Sequence, residues 1–232
     1  MSAAVPPVPP PAVVQEAIAY QRPETVRIPG QPNDSLIIRI SVRWRELLVQ
    51  RGRDTLRRFP VAISSGRRLS YGGKQWNFAT PVGQHRIVAK RTDPVWAPPE
   101  WHYAEVAKAH GLRLASLQPS GRNLRDGTRL VIRDSVVGIL RPADTTFLVL
   151  PEDEHIVFNR TLFIPPLTTR NRQLRGELGA FSLDLGNGYM IHGTADPSSV
   201  GRDVTHGCIR MHADDLAWLF QLVPVGTLVV IR

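Results

Sequence analysis

The chain has 232 residues, 42% of them hydrophobic and 21% charged, an ordinary balance for one large domain or a domain with an arm. Its 29 basic residues outweigh 20 acidic ones, giving a net charge of +9, and it holds a single cysteine. An intramolecular disulfide is thereby excluded, and no run of 18 apolar residues exists to span a membrane. The basic residues are nearly all arginine and are spread along the chain, with no RNP, zinc-finger or helix-turn-helix signature. An acidic polymer or surface therefore fits the charge better than nucleic acid does.

Residues 1–32 read as an arm. Val5-Pro6-Pro7-Val8-Pro9-Pro10-Pro11 favours polyproline II and supplies no core element. Ala12 to Tyr20 has room for a short helix that Pro23, Pro29 and Pro32 keep from extending. A basic start followed by an apolar stretch of roughly 7–15 residues, the mark of a secretory signal, is not visible.

From Ser35 the pattern turns to short runs rich in β-formers: Leu36–Ile40, Glu46–Val49 and Arg58–Ser64. Thr80-Pro81-Val82-Gly83 forces a turn before a further strand, with His85 in a structural place. Asp93 to Trp101 is dense in proline and tryptophan. Trp96 and Trp101 there suit either a binding wall or core filling, because rigid aromatics offer contact area at little entropic cost. Glu100 to His110 reads as one helix stopped by Gly111. Thr128–Arg133, Thr146–Leu150 and His155–Asn159 are plausible strands within an inserted β segment around 112–178, with a polar arginine-bearing loop from Thr168 to Glu177. Inserted segments beside a cleft often act as lids.

Asn187-Gly188 is a hairpin signal joining a strand at Phe181–Leu185 to one at Tyr189–His192. After the cysteine, Ala213-Asp214-Asp215 opens a helix with Leu216, Leu219, Phe220 and Val223 on one face. Pro224 ends it, and Thr227–Ile231 is a final strand.

The chemistry concentrates in Thr205-His206-Gly207-Cys208-Ile209-Arg210-Met211. A thiol needs a base or an electropositive setting to become a thiolate near neutral pH, and histidine supplies both. His206 lies two positions before Cys208, Arg210 two after, and the strand ending at His192 can return a second histidine to it. Ile191-His192-Gly193-Thr194 followed by Thr205-His206-Gly207-Cys208-Ile209-Arg210-Met211 resembles the signature of the YkuD-type L,D-transpeptidases, with Thr205 where many members carry serine. The stretches 35–110 and 176–232 share in the resemblance.

The resemblance implies a mainly β, sandwich-like catalytic domain over 33–232 with a few helices. It implies Cys208 as nucleophile and His192 as general base oriented by the Gly193 carbonyl, with the amides around Gly207 and Cys208 as an oxyanion hole. His206 would tune or position the thiol. Arg210, Thr205, Tyr189, Trp96 and Trp101 would meet the substrate. The partners implied are peptidoglycan stem peptides, a tetrapeptide donor and an amine acceptor, in the periplasm or cell envelope and with no cofactor. An L,D-carboxypeptidase or hydrolase would share the acyl-enzyme. Two other readings stay open. His206, Cys208 and His212 with His192 include zinc-ligand types, although His-x-Cys-x-x-x-His is not a structural zinc spacing and leaves the flanking residues unexplained. A non-catalytic wall-binding module would keep Cys208 as a small buried hydrophobe.

Overall fold

The computed structural model describes residues 36–141, 143 and 145–232. The arm of residues 1–32, with the short helix expected at Ala12–Tyr20, lies outside them.

The described chain is mainly β, with two α-helices, α1 (Glu100–Ala109) and α2 (Ala213–Leu222). The first sheet runs in the order Asp54–Pro60, Glu46–Arg51, Leu36–Ser41, Leu228–Ile231, Gly83–Arg86. Its centre is a parallel pairing of the first described strand with the last, Ile38 opposite Val229 and Ile40 opposite Ile231. All four residues are essentially fully buried, so the two ends of the domain are sealed through one apolar layer.

A second sheet, ordered Ile209–Arg210, Tyr189–His192, Phe181–Gly186, Ala89–Thr92, carries the sequence motif. Ile38, Ile40, Leu47, Val49 and Phe59 of the first sheet and Leu183, Leu185, Ile191 and Ile209 of the second meet in one core. α2 adds Leu216 and Leu219, with Val223 at its end, and stacks Phe220 on Phe181 at 4.6 Å. Its C-terminal carbonyls at Phe220 and Val223 accept from Lys90 Nζ, the cation that a helix C-terminus favours.

The expected single strand at Arg58–Ser64 is two. Asp54–Pro60 stays in the first sheet, whereas Ile63–Ser64 pairs in parallel with Asp203–Thr205. Between them Ala62 exchanges backbone hydrogen bonds with Arg210 (2.9 and 3.0 Å), which diverts the chain to the motif. A hairpin, Arg68–Tyr71 with Lys74–Asn77, was not expected from the sequence.

α1 ends where Gly111 takes φ +60. The segment that follows builds two small sheets, one of four strands (Arg122–Asn123, Arg129–Arg133, Val136–Leu140, Phe147–Val149) and one of three (Ile156–Phe158, Thr161–Ile164, Arg113–Ser116). Leu117, Leu130, Val137, Ile156 and Phe163 form their own core. A further cluster joins Leu162 and Ile164 to Tyr103 and Ala107 of α1. Arg172 bolts this region down: buried, it donates to the carbonyls of Pro98 and Pro165 (both 2.6 Å) and lies over the Tyr103 ring.

Candidate active site

Register alone places the motif's side chains. Tyr189–His192 and Ile209–Arg210 pair in parallel, with Ile191 opposite Ile209 and His192 opposite Arg210. Side chains alternate along each strand, and partners in a parallel pair share a face. Ile191 and Ile209, joined by Met211, enter the core with no exposed surface. Met190, His192, Cys208 and Arg210 take the opposite face, and all four line one cleft of about 620 Å³.

His192 is 5% exposed, and its Nδ1 is buried with no hydrogen-bond partner among the described residues. Burial, helped by the Arg210 charge, lowers its pKa from 6.5 to about 4. The Gly193 carbonyl acts in the opposite sense, favouring the charged ring, without making a hydrogen bond of normal geometry to Nδ1. Cys208 is partly buried. Burial pushes its thiol up, a backbone hydrogen bond at Met190 and the Arg210 charge pull it back, and Asp184 adds to the push. Sγ lies 3.9 Å from the Gly188 carbonyl. The resting cleft therefore holds a neutral thiol and a neutral imidazole, a state suited to general-base activation as a substrate arrives.

The loop before Cys208 is tied internally. Thr205 Oγ1 donates to the Cys208 carbonyl (2.7 Å) and accepts from the Gly207 amide (3.2 Å). Thr205 is only 2% exposed, so its hydroxyl serves the loop. Gly207 sits at φ +140, and a Cβ there would stand 2.8 Å from the Tyr189 ring and 3.1 Å from the Ala79 carbonyl. The close approach admits only glycine, with Tyr189 as the lid over it. Gly193 lies back to back with Gly179: a Cβ on Gly193 would stand 3.1 Å from Gly179 Cα, and one on Gly179 would stand 2.9 Å from Gly193 Cα. Gly179 itself takes φ +68.

Arg210 lines the cleft and forms no ion pair with another described residue, so its guanidinium is available to an anion. Trp96 and Trp101 stand 6.3 Å apart and also line the cleft. Trp96 is held by a two-way backbone bridge to Leu174 (2.8 and 2.7 Å), so the inserted segment fixes one cleft wall. His206 stacks on Trp101 at 4.0 Å, meets Phe78 edge-on at 4.4 Å, and places Nε2 2.9 Å from Glu105 Oε2.

The structure thus brings all ten expected site residues to one cleft or its immediate support. Sequence reasoning missed Gln75, Trp76 and Asn77 of the unexpected hairpin, Phe78 just after it, and Glu177 and Leu178 before the motif strand. It also missed Gly179, whose signal was present as an isolated glycine before a strand. Among the described residues His212, the residue before α2, and the other histidines join no metal cluster. Among the described residues no group of three or more His, Cys, Asp or Glu side chains is placed to hold a metal ion.

Fold and cleft together define a class: a mainly β domain with a buried histidine at the end of one strand and a cysteine just before the parallel strand beside it, in an aromatic-walled cleft. The chain belongs to the YkuD family, the L,D-transpeptidase catalytic domain, which it matches over residues 35–231. The putative L,D-transpeptidase YkuD of Bacillus subtilis (strain 168) is 46% identical over 67 residues, 28% of this chain and 41% of that protein. The probable L,D-transpeptidase YbiS of Escherichia coli (strain K12) is 44% identical over 50 residues, 22% of this chain and 16% of that protein. The matched stretches span less than half the length of these relatives. Among solved structures, an L,D-transpeptidase from Mycobacterium smegmatis gives a TM-score of 0.44 at 14% identity, over 86% of this chain and 59% of that one. No helix among the described residues is long and apolar enough to cross a membrane.

Proposed function

We propose that this chain is an L,D-transpeptidase acting on peptidoglycan stem peptides through a Cys208 acyl-enzyme, in the periplasm or cell envelope. One observation carries the reading: the parallel register sets His192 opposite Arg210, and Cys208, two residues before Arg210, lines the same cleft. His192, neutral above about pH 4, accepts the thiol proton as Sγ attacks the donor carbonyl. The oxyanion of the tetrahedral intermediate is met by the Cys208 amide, while the Gly207 amide, donating to Thr205 Oγ1, holds the turn in shape. Collapse breaks the scissile amide, and the imidazolium returns its proton to the departing D-residue's amine. The thioester is then opened by an acceptor amine, whose proton passes through His192 to the regenerated thiol.

Arg210 suits a substrate carboxylate, because its guanidinium forms no ion pair among the described residues. Trp96 and Trp101 suit the flexible peptide, since rigid rings bind without losing rotamer freedom of their own. Water in place of the amine would give carboxypeptidase trimming from the same thioester. Incubation with purified disaccharide-tetrapeptide, with products read by mass, tests the proposal. Dimers joined through a new amide, with release of the terminal D-residue, are expected. Tripeptide alone would mark a carboxypeptidase, and unchanged substrate would defeat the reading.

A further inference from the structure

The fold makes an unusual investment in a residue outside the reacting pair. His206 is gripped by α1 through two side chains, Trp101 and Glu105, which are four residues apart and therefore share one helical face. Trp101 lies flat on the imidazole, 4.0 Å between centroids with the planes 14° apart. Phe78 closes the edge at 80°. Glu105 fixes the remaining freedom, the rotation of the ring about its own axis, with a 2.9 Å bond to Nε2. A carboxylate only accepts, so Nε2 carries the proton and the tautomer is set.

Glu105 is itself held. Its other oxygen faces Arg67 at 3.6 Å, and Arg67 follows the strand whose neighbour Ser65 donates its amide to the Thr205 carbonyl (3.0 Å). Arg67, Glu105, His206, Thr205 and Ser65 thus close a ring that joins three distant segments of chain. Around the rest of Glu105 stand His102, whose charge state it influences, and the half-buried face of α1. The other side of α1 buries Tyr103 and Ala107 against Leu162 and Ile164 of the inserted segment. The insertion is therefore the backing on which Glu105 is mounted.

We propose that Glu105 is a positioning residue for the reaction at Cys208. By fixing the ring and tautomer of His206 it sets the backbone of the turn that presents the Cys208 amide and thiol. The inference rests on the proposed acyl-enzyme function, and it gives the inserted segment a task, bracing the nucleophile turn through α1.

The test combines acylation kinetics with the imidazole nitrogen spectrum of the full chain, using a carbapenem as the acylating probe. Glu105→Gln keeps the length and an acceptor oxygen, so the Nε2–H tautomer persists and the acylation rate stays near that of the original protein. Glu105→Ala loses the acceptor. His206 then divides between tautomers, and acylation slows roughly 10- to 100-fold, the scale expected when reacting groups are misplaced by about an ångström. Glu105→Met fills the same space without an acceptor and carries the same expectation should the alanine variant fail to fold. Recovery of the rate in Glu105→Gln separates positioning from mere loss of packing. Acylation at the original rate in Glu105→Met, or a single Nε2–H tautomer surviving there, would overturn the proposal. Failure of the unaltered protein to be acylated would defeat the acyl-enzyme reading instead.

Discussion

Acid should destabilise this fold through His192, within a window set by its surroundings. The ring is 5% exposed, and burial with the Arg210 charge lowers its pKa from 6.5 to about 4. The unfolded chain therefore binds a proton that the folded chain refuses between those values. Stability that is complete above pH 6.5 is lost as pH falls towards 4. At about 1.4 kcal/mol for each pH unit, the full window is worth about 3 kcal/mol. His102, also lowered to about 4 by burial and by His155, adds its own slope in the same direction. Comparing the protein with His192→Gln cancels that contribution, because His102 is present in both. Guanidinium unfolding from pH 7.5 to 4 is the assay. The gap between the two stabilities should change by about 3 kcal/mol across the window, at the expense of the histidine protein. Parallel curves would refute the burial argument and, with it, the claim that His192 waits as a neutral base.

Other consequences are as direct. Gly179→Ala places a Cβ 2.9 Å from Gly193 Cα at a backbone φ of +68, and should cost about 1–3 kcal/mol in chemical unfolding while displacing the backbone after His192. Arg172→Met leaves the carbonyls of Pro98 and Pro165 without their buried donor, for a loss of roughly 2–4 kcal/mol. Limited proteolysis should then cut the inserted segment sooner than in the original protein. Purified protein should hold no stoichiometric zinc and keep its activity in chelator. One zinc per chain by metal analysis, with activity lost on chelation, would contradict the metal-free chemistry.

Some of this was legible in the residues and some was not, for physical reasons. The Asn187-Gly188 hairpin was, because that pair is preferred where both turn positions need positive φ, and the structure gives +55° and +80°. α1 was bounded by Gly111, and α2 by Pro224 and its apolar face, both local signals. The parallel pairing of Leu36–Ser41 with Leu228–Ile231 was hidden, since nothing local tells a strand which distant partner it takes. The Arg68–Asn77 hairpin was hidden by its polarity: only Leu69 in it is fully buried, while Lys74, Gln75 and Asn77 face outward. At the site, Cys208 and His192 were marked by their motifs, yet Glu105 carries no local mark within its helix. Its meaning depends on His206 arriving from a hundred residues away.

The most direct test of the central claim is the mass of the protein after reaction with a carbapenem, whose strained lactam stands in for the donor carbonyl. The account predicts one covalent adduct per chain, mapped by peptide digestion to Cys208 and absent from Cys208→Ala, which has no other thiol to substitute. An adduct on another residue, or peptidoglycan turnover that survives Cys208→Ala, would contradict it.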